Sequence, residues 1–439
     1  MSTNQSIKPL TTEWKNNLSI GGCDLVELAK TYGTPLYVID EVTLRETCKD
    51  YKNAFKDYPN IKMMYASKAL SSLAIAKIIE SEGFGFDTVS QGEIYTTHKA
   101  GCNMKNVLFN GNNKSEAELR LAMDLNIGHF SIDNFYEANL LNSIASNSNK
   151  QVDVLLRVTP GIECHTHEYI QTGQIDSKFG FDLSQLDEII NLIKNEYKNL
   201  NLKGLHAHIG SQIFEPKSYE DEIEVLIKEL ARIKEVHSLE LNELNIGGGI
   251  GVTYTAQDNP PSIKEFASCI IKSLKNSVEK YNISEPTIYI EPGRSIISTA
   301  GVTLYKIGSS KVIPNIRKYV AIDGGMADNP RPSMYQALYT AEIANRKETQ
   351  ELETVTIAGR YCESGDILIE NASLVSPKEG DILCVYNTGA YNYSMASNYN
   401  RVEKPAMVLV NNSQSDIIVN RESLEDLIAR ESIPNRLRK

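Results

Sequence analysis

The sequence predicts an α/β plus all-β chain: a (β/α)8 TIM-like barrel and a C-terminal β-sandwich or β-barrel-like domain that also takes an N-terminal strand. Two observations carry this. From Ile61 onward, short apolar or β-branched runs alternate with amphipathic segments, and there are eight such runs. After Arg294 the helical patterns thin out, and short strands separated by turn residues take over. With 439 residues and 41% hydrophobic content, the chain is long enough to bury two cores.

In chain order, the barrel strands are expected at "IKMMYAS", "FGFDTV", "NVLFNG", "HFSID", "DVLLRVTP", "LKGLHAHIG", "ELNIGGG" and "TIYIEPG". Between them, helices are expected at "SSLAIAKIIESEG", "QGEIYTTHKAG", "SEAELRLAMDLN", "NFYEANLLNSIA" and "YEDEIEVLIKELARIKEVH", several opened by a Ser or Asn cap. Eight βα units over about 240 residues satisfy a closed barrel. The β domain is expected from "VTLYKIGSSKV", "KYVAIDGG", "TVTIAG", "DILIENASLV", "DILCVYNTG" and "PAMVLVNNS". "GTPLYVIDEVTLRE" holds a strand that precedes the barrel and is expected to pair with the β domain. The closing "NRESLEDLIARESIPNRLRK" is expected to form a helix and a solvated tail. The expected divisions are 1–44 for the N-terminal segment, 45–296 for the barrel and 297–439 for the β domain.

Composition narrows the function. No stretch approaches the roughly 20 uncharged apolar residues of a membrane-spanning helix, and "MSTNQSIKPL" has neither an apolar core nor a cleavage-like site. A cytoplasmic location is expected. The seven cysteines (23, 48, 102, 164, 269, 362 and 384) are scattered and lack CxxC spacing, so neither a disulfide framework nor a metal site is suggested. A net charge of −11 without a basic cluster speaks against nucleic acid or an anionic membrane as partner. A small molecule is the expected ligand.

In a barrel, chemistry sits at the C-terminal ends of the strands, and here those ends are rich in polar groups. Lys68 follows the first strand; Asp87, Ser90 and Glu93 the second; Asn110 and Asn112 the third; Arg157 ends the fifth. His206, His208 and Ser211 close the sixth, Gly247 to Gly249 the seventh, and Glu291 to Arg294 the eighth. A desolvated lysine is the usual nucleophile for an imine with a carbonyl, which makes Lys68 a Schiff-base candidate. A lysine snorkelling from a strand end into solvent is the plainer alternative. "NIGGGIG" clusters backbone N–H groups where a phosphate can be cradled. Glu291, in "EPGR", is placed to meet a protonated ring nitrogen. A salt bridge to Arg157 or Arg294 is its plain alternative, and both readings hold together because such a carboxylate stays ionised. His208 is suited to stack on a flat cofactor. An imine lysine, a phosphate loop, a ring-facing histidine and a carboxylate for a ring nitrogen together describe a pyridoxal 5'-phosphate site.

The segments "YASKAL", "DTVSQGE", "HEYIQTGQIDSKFG", "LHAHIGSQ", "NIGGGIG", "EPGR", "DNPRPSMYQALY", "CESGD" and "GAYNYSMASNYN" resemble the diaminopimelate decarboxylase family from about Gly33 to Val410. Leu70, Val402 and Lys404 depart from its usual pattern without touching the expected chemistry. The resemblance implies a barrel-type (fold type III) pyridoxal phosphate decarboxylase of the barrel-plus-β-domain kind, acting as a homodimer with shared active sites. It implies that Lys68 binds the cofactor as an imine, His208 stacks on its ring, Glu291 meets its ring nitrogen, and Asp87 lies in the cofactor site. Ser211, Gly248, Gly249, Gly293, Arg294 and Tyr391 are implied around the phosphate. Cys362 matches the family's proton donor and Glu363 a substrate contact, both delivered from a second subunit. Arg294, Arg331, Tyr335 and Tyr391 match the remaining substrate contacts. Taken alone, Cys362 reads as a buried structural thiol.

Residue types also speak to the substrate. Diaminopimelate has an amino-acid group at its far end and needs a cation for the distal carboxylate and an anion for the distal ammonium. Arg331 and Glu363 offer one of each. The expected reaction is therefore decarboxylation of meso-2,6-diaminopimelate to L-lysine and carbon dioxide, the last step of lysine biosynthesis. The alternatives are a decarboxylase of ornithine, arginine or carboxynorspermidine, or a noncatalytic regulator that kept the fold.

Overall fold

The structure, a computed structural model, describes residues 2–162, 177–347 and 352–438. Most of the "HEYIQTGQIDSKFG" segment, and Cys164, lie outside the described residues. The chain divides into two compact units. One comprises Met1–Ser6 with Leu44–Ile297, the other Ile7–Thr43 with Ser298–Lys439.

All eight expected strands form in the first unit, and they close into a barrel. They are Ile61–Ala66, Gly85–Thr88, Val107–Phe109, His129–Ile132, Val152–Thr159, Leu200–His206, Glu243–Asn245 and Thr287–Ile290. Every neighbouring pair is parallel: the eighth strand returns to the first through Ile288 opposite Ile61, and the fourth meets the fifth through Phe130 opposite Val154. The short strand Phe181–Asp182 adds to the fifth through Phe181 opposite Val158. Met64, Leu108, Leu155 and Tyr289, from the first, third, fifth and eighth strands, form one buried apolar cluster.

The outer helices begin where side chains satisfy the first free N–H groups. Ser72, Ser90 and Asn134 cap Leu73–Ser81, Gln91–Lys99 and Phe135–Asn147, and Ser115 forms a capping box with Glu118 ahead of Glu116–Asp124. Helices Leu186–Asn195 and Ile263–Tyr281, which are not among the expected helices, also form. At the N-terminus, Asn4 donates through Nδ2 to the carbonyls of Gly251 (3.1 Å) and Pro261 (2.8 Å), which ties the first residues to the barrel unit.

Helix Lys217–His237 buries Tyr219, Ile223, Leu226, Leu230 and Ile233. It also buries Glu222 completely, with no hydrogen bond from a described residue to either carboxyl oxygen. Burial, reinforced by the Glu291 charge, pushes the Glu222 carboxyl well above its ordinary range. Such a group holds its proton more tightly folded than unfolded. The stability it lends is present below the unfolded value and is lost as pH rises toward the folded one. Glu222→Gln is therefore expected to be more stable than the parent at neutral pH. The difference should shrink by up to about 1.4 kcal/mol per pH unit on acidification toward pH 5. Denaturant titrations of both proteins at pH 5, 6 and 7 check this, and a pH-independent difference contradicts it.

The second unit is built on a nine-stranded sheet. The expected N-terminal strand, Leu36–Asp40, lies between Gly301–Ile313, to which it is antiparallel, and Ala406–Asn411, to which it is parallel. Leu36, Val38, Val302, Leu304, Cys384 and Val408 share its buried core. A separate three-stranded sheet, Glu13–Trp14, Leu18–Ile20 and Cys23–Asp24, packs Leu18 and Ile20 into the same core. The C-terminal segment forms the short, exposed helix Leu424–Ile428.

Candidate active site

At the C-terminal ends of the barrel strands, Lys68 sits half-buried in the 3-10 turn Ser67–Ala69, directly after the first strand. Its charge bears on Asp87, Glu93, His206, His208 and Glu291, which sets it within this cluster and not on an open surface. Glu291 is buried. Its Oε1 accepts a 2.6 Å hydrogen bond from Asn245 Nδ2, and its Oε2 lies 3.5 Å from His206 Nε2. Burial raises this carboxyl, but His206, Lys68 and His208 outweigh burial and hold it below its ordinary range. The nearest ionisable neighbour of Glu291 is thus His206, while Arg157, which the sequence offers, bears on it through its charge and not through a direct ion pair. Arg157 instead donates to Asn110 Oδ1 at 3.0 Å and lies 4.3 Å over the Phe179 ring.

Asp87 behaves oppositely. Buried, and with neither oxygen hydrogen-bonded to a described residue, it is pushed well above the ordinary range by burial and then by Glu291. Two neighbouring carboxyls in one low-dielectric site divide in this way, one ionised and one protonated. Ser90 and Glu93 serve the adjoining helix: Ser90 caps it, and Glu93 accepts the Val89 N–H at 2.7 Å.

The glycine loop is explained by crowding. A Cβ at Gly248 would stand 2.0 Å from the Glu291 carbonyl oxygen, and one at Gly247, where φ is +64°, would stand 2.6 Å from His208 Nδ1. The loop therefore lies directly against both site residues. Gly247 N–H donates to Asn245 Oδ1 (2.9 Å) and Gly248 N–H to His208 Nδ1 (3.3 Å), so these two N–H groups are committed within the protein. With Nδ1 accepting, His208 carries its proton on Nε2. Burial, with the Lys68 and Arg157 charges, pushes His208 well below its ordinary range and keeps the ring neutral. Arg294 donates to Ser211 Oγ (3.3 Å from Nε, 3.0 Å from Nη2) and from Nη1 to Tyr254 Oη at 2.9 Å. Gly293 lies beside Ala66, at the end of the first strand.

The remaining expected residues belong to the second unit. Arg331 is buried at the start of the short helix Arg331–Tyr335 and donates from Nη1 to Tyr339 Oη at 2.6 Å. Tyr335 ends that helix, half-buried. Cys362 and Glu363 are exposed, on the loop between strands Leu352–Ala358 and Ile367–Val375. The buried-thiol reading of Cys362 is therefore incorrect: among the described cysteines it alone is exposed, because its loop leaves the sheet at Gly359 and returns only at Ile367. Tyr391 takes φ +60°, uncommon outside glycine, in the loop after Ile382–Val385. Sequence reasoning passed over Asn245, Asp328 and Asp366. Each lies inside a quoted motif, "NIGGGIG", "DNPRPSMYQALY" or "CESGD", but was given no role there, because that role depends on contacts between chain segments.

A family model described as "Pyridoxal-dependent decarboxylase, pyridoxal binding domain" matches residues 42–298. The diaminopimelate decarboxylase of Synechocystis is 47% identical over 448 residues, covering 99% of this chain and 95% of its own. That of Bacillus subtilis is 47% identical over 415 residues, 94% of each. The chain belongs to the diaminopimelate decarboxylase family. Among solved structures, diaminopimelate decarboxylase from M. jannaschii in co-complex with L-lysine matches with a TM-score of 0.92 at 34% identity, covering 100% of both chains.

The diaminopimelate decarboxylase family uses pyridoxal phosphate, and the barrel residues fit that cofactor. Glu291 is an ionised carboxylate, the group a protonated ring nitrogen needs. His208 offers a flat neutral ring, and the Asp87 oxygens are buried without a partner among the described residues. The Gly247–Gly249 loop approaches His208 and Glu291 as closely as only glycine allows.

Proposed function

We propose that this chain decarboxylates meso-2,6-diaminopimelate to L-lysine and carbon dioxide, with pyridoxal phosphate as cofactor, as the last step of lysine biosynthesis. The observation that carries the reading is the 47% identity to a diaminopimelate decarboxylase over 99% of the chain. Bound pyridoxal phosphate supplies the electron sink for the pair left by the departing carboxylate.

The protein's part is to hold, orient and exchange protons. Lys68 anchors the cofactor through its Nζ and is surrounded by groups whose protonation states are already fixed. Glu291 holds a negative charge for the ring nitrogen, and Asn245 and His206 keep that carboxylate from turning away. Neutral His208 presents its ring, fixed by the Gly248 N–H. Asp87 completes the cofactor pocket. Arg294, tied to Ser211 and Tyr254, is set for phosphate together with Gly249, Gly293 and Tyr391, with Gly248 giving the loop room there and not its N–H, which His208 holds, and it contributes to substrate binding. On the second unit, Arg331 and Glu363 provide the cation and anion that a distal amino-acid group requires, joined by Tyr335 and Tyr391. Cys362 Sγ supplies the proton that replaces the lost carboxylate.

The active form in this reading is a cytoplasmic homodimer in which Cys362 and Glu363 are delivered by a second copy of the chain. Among the described residues, no helix is long and apolar enough to cross a membrane. The reading is tested by expressing the chain in a bacterial strain that lacks diaminopimelate decarboxylase. Growth without added lysine is expected; continued lysine auxotrophy despite folded protein overturns the reading.

A further inference from the structure

Three loops of the second unit carry the proposed substrate and proton-donor residues: 324–335 with Arg331 and Tyr335, 359–366 with Cys362 and Glu363, and 387–401 with Tyr391. They are sewn together by a small set of buried groups. Asp366, only 3% exposed, accepts the Met326 N–H at Oδ1 (2.7 Å) and the Tyr361 N–H at Oδ2 (2.9 Å), so one carboxylate fixes two loops. A Cβ at Gly359 would stand 2.0 Å from Asp366 Oδ2, so the loop closes tightly over this side chain. Asp328, 1% exposed, accepts the Tyr305 O–H at 2.5 Å, the Gly325 N–H at 2.9 Å and the Tyr361 O–H at 3.5 Å. Tyr305 belongs to the long strand Gly301–Ile313, which anchors the assembly to the sheet.

Further bonds run between the loops themselves. Arg360 N–H donates to the Gly324 carbonyl (3.0 Å), and Ser333 Oγ, in the Arg331 helix, donates to the Gly365 carbonyl (2.9 Å). The third loop joins through Ser397 N–H to the Ala327 carbonyl (2.8 Å) and through Asn400 Oδ1, which accepts the Cys362 N–H at 2.9 Å. The Cys362 backbone is thus bonded on its own N–H and preceded by Tyr361, which both aspartates touch.

We propose that Asp366 and Asp328 are positioning residues that hold the three loops in register, so that Cys362 and Glu363 are set to reach the substrate held by a second copy while Arg331 keeps its own place toward substrate. This rests on the reading above that those three residues serve the substrate. Neither aspartate needs to touch it. Their carboxyls act through backbone N–H and phenol O–H donors, whose directionality fixes a loop's position where apolar packing would only fill its volume. Asp366→Asn keeps the side-chain size but turns one acceptor into a donor that faces an N–H. The expected consequence is a displaced Cys362 and Glu363 without loss of the barrel.

The test uses the pyridoxal-phosphate-loaded full chain with Asp366→Asn, with Tyr361→Phe as a milder second variant, and with Cys362→Ala alongside. For Asp366→Asn, kcat with meso-diaminopimelate is expected to fall by about a hundredfold, the scale of a 1 Å misplacement. The rate of iodoacetamide alkylation at Cys362, read by mass on its peptide, should change several-fold, while cofactor absorbance is retained. Tyr361→Phe should move both quantities in the same direction by less, and it decides the matter if Asp366→Asn does not fold. Unchanged kcat and alkylation in the folded variants, with Cys362→Ala impaired, overturn the positioning role alone. Full turnover by Cys362→Ala overturns it together with the reading it rests on.

Discussion

Lys68→Ala is expected to abolish the absorbance of covalently held pyridoxal phosphate and to lower turnover by roughly 10³-fold or more, the scale of losing a covalent catalytic group. The reason lies in the surroundings of Lys68. Its turn, Ser67–Ala69, places the amine among Asp87, Glu93, His206, His208 and Glu291, whose protonation states it helps to set. Removing it deletes both the proposed anchor and a positive charge that helps keep Glu291 ionised. The fold should survive, because Ala69 and Leu70, not Lys68, bury the apolar surface of this turn. An absorption spectrum of the purified variant after dialysis checks the claim. A persistent covalent-cofactor band sinks it.

Cys362→Ala is the second large effect, and it should separate chemistry from cofactor binding. The thiol is exposed on a loop of the second unit, where the structure gives it no core to support. A general acid contributes roughly 10² to 10⁴ in rate, so kcat should fall by that order while the cofactor spectrum and melting temperature stay at parent values. Normal turnover in the variant removes Cys362 from the mechanism. A large loss of melting temperature would restore the structural reading of the thiol.

Much of this arrangement was legible in the sequence. All eight barrel strands were marked by short apolar runs, and the polar residues at their C-terminal ends include the barrel residues now proposed as the site. The N-terminal strand Leu36–Asp40 was recognisable from "PLYVID", and its place in the β unit followed from its position before the barrel. What stayed hidden has physical causes. Strands of two or three residues, such as Glu13–Trp14, have no period to read. The partner of Glu291 could not be chosen from the sequence. Asn245 and His206 reach it only once the sixth, seventh and eighth strands lie side by side, whereas arginines in nearby motifs look like the obvious partners. Asp328 and Asp366 were passed over for the same reason: each acts on backbone N–H or phenol groups of other segments, a contact that residue type does not announce.

The most direct test is to offer the purified, pyridoxal-phosphate-loaded protein meso-diaminopimelate, ornithine, arginine and carboxynorspermidine side by side, measuring carbon dioxide release and identifying products by mass. Release from meso-diaminopimelate alone, with L-lysine as the matching product, is the predicted result. Release from another substrate in its place, or none from any, would contradict the account.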